Sequence, residues 1–343
     1  MVNAPLAAEP RRTPPPTGVP PSRKRSRAAA APAPSPLAIP PSSWVEIDGP
    51  VHYLDYGGPA DGPLMVLVHG LGGSALNWAA VAPALARRCR VVALDLAGFG
   101  RTRSGGRSSS VHANQRLLHR FITEMVGSPA ILVGNSMGGL ITVLQAHEHP
   151  ETVAAAVLVD PALPIGPTAW PDPMVGMAFT AYTVPALGRR LLSSSRRLRS
   201  ADENAYSILR LCCADASRVP AEVVEHHVGL ARERHGDSTA DAELLTAARS
   251  LLWVLARRGR HAAMMRGIRV PVLLLHGDKD RLVPVAAARA AAADNPGWRF
   301  AEAAGIGHVP QLEAPDWTLE QIWAWLDTDA ADAADLARDA AVG

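Results

Sequence analysis

The chain is poor in lysine, in cysteine and in long uninterrupted apolar segments. Only Lys24 and Lys279 are lysines among its 34 basic residues, a codon-level bias that, together with abundant alanine, suggests a GC-rich bacterial genome. Two of the three cysteines, Cys212 and Cys213, are adjacent and could form a disulfide only with strain, so we predict a reduced, cytoplasmic protein. No run approaches the roughly 18 apolar residues that a membrane-spanning helix needs, so we expect no stable membrane insertion.

The small net charge of +2 is distributed unevenly along the 343 residues. Residues 1–43 carry six basic side chains and one acidic side chain, which gives +5 locally and leaves about −3 for the rest. A slightly negative body argues against nucleic-acid binding. Residues 164–269 hold fifteen arginines and ten acidic residues, an excess that suits anionic substrates and solvated helix faces equally well.

The two ends of the chain differ in composition from its middle. Residues 1–43 are rich in proline, alanine and arginine, with too little apolar surface to offset the entropy of ordering, so we predict a disordered tail. Arg11-Arg12 looks like a twin-arginine signal, but prolines follow where an apolar segment is needed, so export is not expected. Residues 327–343 are predicted to form a flexible C-terminal tail.

Between these tails, predicted strands and helices alternate in residues 44–163 and again in residues 270–326. Such alternation specifies a mostly parallel sheet with helices on both faces, and ligands bind such sheets at the carboxyl ends of the strands. Residues 164–269 show helical stretches and no strand signal. We interpret them as a helical lid inserted into an α/β core that the two flanking segments form.

The most informative stretch is a short apolar run followed by a glycine-rich turn. Residues 131–133 are Ile-Leu-Val, which is typical of a buried parallel strand. Residues 134–138 then read Gly-Asn-Ser-Met-Gly, the pattern G-x-S-x-G with Ser136 at its centre. Glycines on both sides allow a sharp turn from strand to helix, and the helix N-terminus favours the negative charge of an oxyanion. Ser136 is therefore a candidate nucleophile.

A serine nucleophile needs a base, and the base needs an acid that orients it. His308 follows the last predicted strand in a glycine-flanked loop and is the candidate base. Asp280 follows the preceding strand and is the candidate acid, since the chain order is then Ser, Asp, His. Asp278 and Asp160 are the alternatives; we interpret Asp278 as a turn former and Asp160 as part of a structural turn.

The oxyanion of an acyl-transfer intermediate needs two backbone N–H donors. Met137, directly after the serine, is expected to supply one donor. Leu71, in the segment His69-Gly70-Leu71-Gly72-Gly73 after an apolar strand, is expected to supply the other. Asp95 also ends a strand, and we interpret it as a residue that stabilises its loop rather than as a catalytic group.

Five segments taken together resemble the α/β-hydrolase superfamily over residues 44–326. These segments are His69–Gly73, Asp95–Gly100, Gly134–Gly139, His276–Asp280 with Pro284, and Gly307–Pro315. The resemblance implies an α/β-hydrolase fold with a mostly parallel eight-stranded sheet, helices on both faces and an inserted helical lid. It also implies a triad of Ser136, Asp280 and His308 that works without a metal or a cofactor.

Within that superfamily, Ser136 argues against the members that use an aspartate nucleophile, such as epoxide hydrolases and haloalkane dehalogenases. The Gly-Asn-Ser-Met-Gly-Gly turn around Ser136 is similar to that of serine C–C hydrolases that act on meta-cleavage products. In those enzymes the asparagine before the serine lines the site. Those enzymes usually carry tryptophans after the acid and after the histidine, where this chain has Arg281 and Val309. We therefore expect hydrolysis of a carboxylic ester with a small or apolar acyl group, and C–C hydrolysis as the alternative.

The substrate is expected to be a small ester-like molecule bound between the lid and the sheet. The residues predicted to contact it are Asn135, Trp170, Phe179 and Trp253, with Met174 and Met177 as further apolar lid residues. Each apolar lid residue could instead pack the lid onto the core. A slow-turnover ligand-binding protein and an acyltransferase or perhydrolase stay open as alternatives, and the sequence gives no indication of the oligomeric state.

Overall fold

The computed structural model describes residues 37–165 and 172–328, except for the side chains of Val126 and Arg196. Most of both predicted tails, 1–43 and 327–343, lies outside these residues. Within the described part, the first strand already begins at Ser42, two residues before the predicted start of the core.

Eight strands form one sheet, and this confirms the predicted fold class. In chain order they are β1 (Ser42–Glu46), β2 (Pro50–Gly57), β3 (Leu64–Val68), β4 (Arg90–Leu94), β5 (Ala130–Asn135), β6 (Val153–Val159), β7 (Val272–Gly277) and β8 (Arg299–Ala303). Their order across the sheet is β1-β2-β4-β3-β5-β6-β7-β8. The pairs β1–β2 and β2–β4 are antiparallel, and all pairs from β4 to β8 are parallel.

Twelve α-helices surround this sheet in the described part of the chain. Those of the flanking segments are α1 (Ala82–Leu85), α2 (Val111–Arg120), α3 (Met137–Glu148), and, after the helices of the insertion, α10 (Val285–Asp294), α11 (Pro310–Glu313) and α12 (Pro315–Leu326). Between β6 and β7 lie α4 (Pro173–Thr183), α5 (Pro185–Leu198), α6 (Ala201–Cys212), α7 (Ala221–Arg234), α8 (Ala240–Leu255) and α9 (Arg258–Arg266). Short 3₁₀ turns occupy Ala75–Trp78, Pro150–Thr152 and Ala216–Arg218, and a π-helical stretch, Phe121–Val126, extends α2.

The central strands β3 and β6 are apolar at every position because helices cover both faces of the sheet. In β3, Val66 and Val68 face one apolar cluster, which contains Leu118 of α2. Met65 and Leu67 alternate with them and face a second cluster, which contains Trp325 of α12. The core therefore holds β3 and its neighbour β5 rigidly, and the carboxyl ends of these strands form a fixed edge.

The segment between β6 and β7 contains no strand within residues 172–271, and its helices attach to the core at defined places. Leu251 of α8 packs into the same apolar cluster as Met137 of α3. Glu243 of α8 is buried and accepts hydrogen bonds from Ser104 N (3.1 Å) and from Arg234 Nη2 (3.1 Å). That these helices form a separate lid remains a prediction.

None of the helices in residues 37–165 and 172–328 combines the length and the apolar character that crossing a bilayer requires.

Candidate active site

Ser136 lies in a strained turn between β5 and α3. Its φ of 55° and ψ of −117° place a non-glycine residue in a sparsely populated backbone region. The two flanking glycines are needed because there is no room for a side chain. A Cβ on Gly134 would lie 2.4 Å from the carbonyl oxygen of Gly138, and one on Gly138 would lie 2.2 Å from that of Val68. The surrounding backbone therefore fixes the strained conformation of Ser136 at the carboxyl end of β5.

His308 and Asp280 form a buried hydrogen-bonded pair. Nδ1 of His308 lies 2.6 Å from Oδ2 of Asp280. The other carboxylate oxygen accepts the backbone N–H groups of Leu282 (2.7 Å) and Val283 (3.0 Å). Burial by itself raises the pKa of Asp280, but the charge and the hydrogen bond of His308 outweigh it and hold the pKa below its usual value. An ionised Asp280 keeps the proton on Nδ1, so Nε2 carries the lone pair that a general base needs.

Asn135 joins the serine turn to the histidine loop. Its side chain is buried, and Nδ2 donates to the carbonyl oxygens of Val159 (3.0 Å) and His308 (3.1 Å). In the described part of the chain no hydrogen bond links Ser136 to His308, and such contacts are often long before substrate binds. The contacts of the Asn135 amide nitrogen are to the backbone, and its predicted contact with substrate remains a prediction.

The loop that carries Leu71 lies directly against the nucleophile. A Cβ on Gly70 would be 2.9 Å from Cβ of Ser136 and 3.3 Å from the carbonyl oxygen of Asn135, so the two segments lie in close contact. His69 fixes this loop, since its Nδ1 bonds to the carbonyl oxygen of Gly70 (2.7 Å) and its Nε2 accepts from Leu96 N (3.0 Å). Burial lowers the pKa of His69, which keeps the ring neutral and able to accept at Nε2. Gly70, next to Leu71, therefore lies beside the serine, and Gly138 in the first turn of α3 lies against the carbonyl oxygens of Val68 and His69.

Asp95 stabilises the segments that follow β3 and β4 through hydrogen bonds to their backbone. Its Oδ1 accepts from Ala75 N (2.6 Å), and its Oδ2 accepts from Arg101 N (2.7 Å) and contacts Nδ1 of His52 (2.7 Å). Asp95 is 1% exposed, so these bonds are shielded from solvent. The contacts agree with the interpretation of Asp95 as a loop-stabilising residue.

The C-terminus of α6 supports the histidine loop, which sequence reasoning did not anticipate. The backbone N–H of His308 donates to the carbonyl oxygen of Cys212 (2.6 Å). Glu313, 3% exposed, accepts from Gly307 N (2.8 Å) and Ala214 N (3.0 Å) at Oε2, and from Asp215 N (2.8 Å) at Oε1. One buried carboxylate thus ties the loop of the candidate base to the end of an inserted helix. The sequence signal for this role is an acidic residue, Glu313, directly after the uncharged segment 309–312.

Arg281 occupies the position where C–C hydrolases usually carry a tryptophan. Its Nη2 donates to the carbonyl oxygens of Arg210, Leu211 (2.9 Å) and Cys213 (3.2 Å), so it caps the C-terminus of α6. The residue after the histidine, Val309, is buried in an apolar cluster with residues of α6 and α7. Both departures from the C–C hydrolase pattern therefore bind the inserted helices to the catalytic loops.

Three aromatic residues of the insertion are predicted to contact substrate. Trp170 lies outside the described residues. Phe179 is half-buried on α4, with its ring centroid 6.0 Å from that of Tyr182. Trp253 is 53% exposed, and the guanidinium of Arg257 lies 3.1 Å from the centre of its ring. The opposite face of α8 packs on the core, and the contact of Trp253 with substrate stays a prediction.

Two further aspartates end strands near the site. Asp278 Oδ1 accepts from Gly305 N (2.6 Å), which agrees with its interpretation as a turn former. Asp160 is completely buried, and its φ of 41° is compatible with its interpretation as part of a structural turn.

A sequence profile described as the alpha/beta hydrolase fold matches residues 63–315. The chain belongs to the α/β-hydrolase family. The matched region contains the serine turn, the Asp280 loop, the His308 loop and the inserted helices. The family therefore accounts for the sheet order and for the position of Ser136 between β5 and α3.

The names of proteins similar to this chain refer to different reactions. The chain is 28% identical over 272 residues to the dihydrolipoyllysine-residue acetyltransferase component of the acetoin cleaving system of Cupriavidus necator, covering 79% of this chain but only 65% of that protein. It is 28% identical over 240 residues to 2-hydroxy-6-oxo-6-(2'-aminophenyl)hexa-2,4-dienoic acid hydrolase of Metapseudomonas resinovorans, covering 68% and 72% of the two chains. It is 26% identical over 271 residues to Lipase 1 of Psychrobacter immobilis, covering 78% of both.

Among solved structures, an esterase from Rhodococcus sp. ECU1013 superposes with a TM-score of 0.63 at 23% identity, covering 83% of this chain and 98% of that one. At this identity the likeness establishes the fold alone. Hydrolases dominate these comparisons, whereas the reaction differs from one relative to another.

Proposed function

We propose that this protein is a serine hydrolase that cleaves carboxylic esters with a small or apolar acyl group. The observation that carries the proposal is the buried pair of His308 and Asp280, 2.6 Å apart, on a loop tied to the strained Ser136 turn. A glycine-flanked turn with an incidental serine would need neither the backbone strain nor the adjacent imidazole–carboxylate pair. The name of one relative, Lipase 1, supports the ester substrate class.

The mechanism begins when Nε2 of His308 takes the proton of the Ser136 hydroxyl as the oxygen attacks the ester carbonyl. The backbone N–H groups of Leu71 and Met137 stabilise the oxyanion, and Asp280 stabilises the imidazolium. The imidazolium then protonates the departing alcohol, which leaves an acyl group on Ser136. Water, deprotonated by His308, attacks the acyl-enzyme and releases the acid, with the proton returned to Ser136. No step needs a metal ion or an organic cofactor.

C–C bond hydrolysis of a meta-cleavage-type diketone is the second candidate. The 28% identical hydrolase of Metapseudomonas resinovorans and the Gly-Asn-Ser-Met-Gly turn favour it. The capping role of Arg281 and the burial of Val309 argue against it, because both positions are committed to holding α6 and α11 rather than to contacting an aromatic product. Ester hydrolysis therefore ranks first.

The first experiment is labelling with a fluorophosphonate probe, which reacts only with an activated serine. The wild-type protein, Ser136→Ala and His308→Ala are compared, with Ser194→Ala on the exposed face of α5 as the matched control. We expect the wild type and Ser194→Ala to label equally, and the other two variants to lose labelling together with several powers of ten in kcat/KM.

A panel of esters of increasing acyl length and a ring-fission diketone then separate the two candidate reactions. Labelling that persists in Ser136→Ala would remove the proposed nucleophile. A folded wild-type protein that does not label, or that releases one equivalent of product and stops, would favour the slow-turnover binding protein. Faster product formation with an added alcohol or with peroxide would indicate acyl transfer or perhydrolysis.

A further inference from the structure

A second buried carboxyl group lies behind the candidate acid. Asp160 follows β6, is completely buried and has a φ of 41°, which is rare for a residue with a side chain. Its Oδ1 accepts from Gly277 N (2.9 Å). Its Oδ2 is buried, and no group among the described residues donates a hydrogen bond to it. A strained backbone that holds an unsatisfied buried oxygen calls for a physical reason.

Two polar side chains lie close to the Asp160 carboxyl group, and Nε2 of His276 is 3.7 Å from its Oδ1. One side-chain atom each of Asp160, His276 and Asp280 lie within 4.8 Å of one another. Nε2 of His276 bonds to the carbonyl oxygen of Val283 (2.8 Å), so it carries a proton, and it lies 3.5 Å from Asp280 Oδ2. Since a protonated nitrogen is no ligand and Asp280 Oδ2 already bonds to His308, this cluster does not fit a cation site.

The charges around the pair decide which carboxyl keeps a proton. Asp280 faces His308 and accepts two backbone N–H groups, whereas Asp160 accepts one. The remaining titratable groups that face Asp160 are His276 of β7 and, further away, Glu313 of α11. Two ionised carboxylates at this separation in a dry site repel strongly, so one of them stays protonated. Burial raises the pKa of Asp160 well above its usual value, and the neighbouring Asp280 raises it further.

We propose that Asp160 is held as a neutral carboxylic acid whose Oδ2 hydroxyl donates a hydrogen bond to Asp280, and that it thereby positions Asp280 against His308. A proton on Oδ2 turns this orphaned buried oxygen into a donor, and Asp280 is the carboxylate that has an oxygen within 4.8 Å of the Asp160 carboxyl group. Asp160 touches no reacting atom and acts through Asp280, so it is a positioning residue. Its role in the reaction rests on the proposed function, whereas its neutral state does not.

The neutral form has a consequence for the base. A second negative charge behind Asp280 would strengthen the attraction for the proton on His308 and would leave less neutral imidazole at pH 7. A neutral donor holds the Asp280 oxygens in place without adding that charge. Asp160 therefore fixes the geometry of the pair while it leaves His308 free to act as a base near neutral pH.

The catalytic test compares Asp160→Asn with Asp160→Gly, two variants that both tolerate a positive φ. Asparagine is neutral, still donates to Asp280 and still accepts from Gly277, so we expect the acid limb of kcat/KM against pH to be unchanged and kcat to stay within about threefold. Glycine removes the donor, so we expect kcat to fall about tenfold or more with little change in KM. An acid limb that moves down by about one pH unit in Asp160→Asn would show an ionised Asp160 and overturn the proposal. A wild-type kcat in Asp160→Gly would overturn the positioning role.

A second test needs no catalysis. A carboxyl whose pKa is raised in the folded protein keeps its proton where the unfolded chain has released it, so its contribution to stability is lost as pH rises from the unfolded to the folded pKa. Urea unfolding at several pH values between 5 and 8 is compared for wild type and Asp160→Asn. We expect the folding equilibrium constant of the wild type to fall tenfold per pH unit relative to the variant until the folded pKa is reached. Parallel curves would overturn the neutral state.

If Asp160→Asn fails to fold, infrared spectra of the wild type alone still test the neutral state of Asp160. A carbonyl band of a buried protonated carboxyl at pH 7 is expected, and its absence would overturn the proposal. These two measurements also separate the two ideas. Diverging stability curves in a protein that does not label with fluorophosphonate would retain the neutral Asp160 and remove the proposed function, and parallel curves in an active enzyme would do the reverse.

Discussion

Replacing Glu313 by glutamine tests whether a buried carboxylate holds the histidine loop in place. The two oxygens of Glu313 accept three backbone N–H groups, from Gly307 (2.8 Å), Ala214 (3.0 Å) and Asp215 (2.8 Å). In either orientation of a glutamine amide, its NH₂ group faces at least one of these donors. The variant therefore loses a charge-assisted hydrogen bond and leaves a buried N–H unsatisfied.

The size of the effect follows from the burial of the site. Glu313 is 3% exposed, so solvent screens its hydrogen bonds little. A hydrogen bond to a charged group contributes about 1.5–3 kcal/mol, and a buried unsatisfied donor costs about 1–3 kcal/mol, so we expect Glu313→Gln to lower the free energy of unfolding by about 3 kcal/mol. Because Gly307 precedes the base directly, a shift of the loop of about 1 Å should also slow fluorophosphonate labelling of Ser136 by about 10- to 100-fold.

The matched control is Glu302→Gln on β8, which makes the same chemical change in an exposed ion pair. Glu302 pairs with Arg289, whose side chain is 57% exposed, so the control should cost at most about 1 kcal/mol and leave labelling unaltered. Urea unfolding gives the stabilities, and time courses of labelling give the reactivity. If Glu313→Gln matched Glu302→Gln in both measurements, the view that this carboxylate supports the base would be refuted.

Two further predictions concern the oxyanion loop and acid stability. Gly70→Ala places a Cβ 2.9 Å from Cβ of Ser136, which displaces the Leu71 segment, so ester hydrolysis should fall by about 10²-fold or more, while Gly229→Ala, with open space around it on α7, should be unaffected. Burial lowers the pKa of His261 to about 4, so the folded protein keeps this ring neutral where the unfolded chain is protonated, and its contribution to stability is lost as pH falls from 6.5 to 4. His261→Leu should therefore lose about 3 kcal/mol less than the wild type over that range in urea titrations, and equal losses would contradict the assignment.

The features that the sequence reveals well are those with a local cause. The strained turn at Ser136 follows from an apolar strand, two glycines and a helix that lie close together in the sequence. The alternation of strands and helices predicts a parallel sheet, although the order of the strands depends on packing between distant segments.

The features of the site that the sequence does not reveal have non-local causes. The N–H partners of Glu313 include residues 98 and 99 positions away, so no short pattern points to them. The exposure of Trp253 follows from residue spacing along α8 rather than from residue type. The spacing of Ala247, Leu251 and Val254 marks the buried face of α8, and a helical turn of 100° per residue places the tryptophan on the opposite side.

Hydrogen bonds from the Asp280 and His308 loops to the C-terminus of α6 limit how this protein can be recombined with other α/β hydrolases. A chimera that exchanges the whole insertion for that of another hydrolase would remove the Cys212 carbonyl that receives the His308 N–H, together with the Ala214 and Asp215 partners of Glu313. Grafts that aim to change substrate range should therefore keep residues 211–215 as a junction of the recipient and exchange only the helices before it.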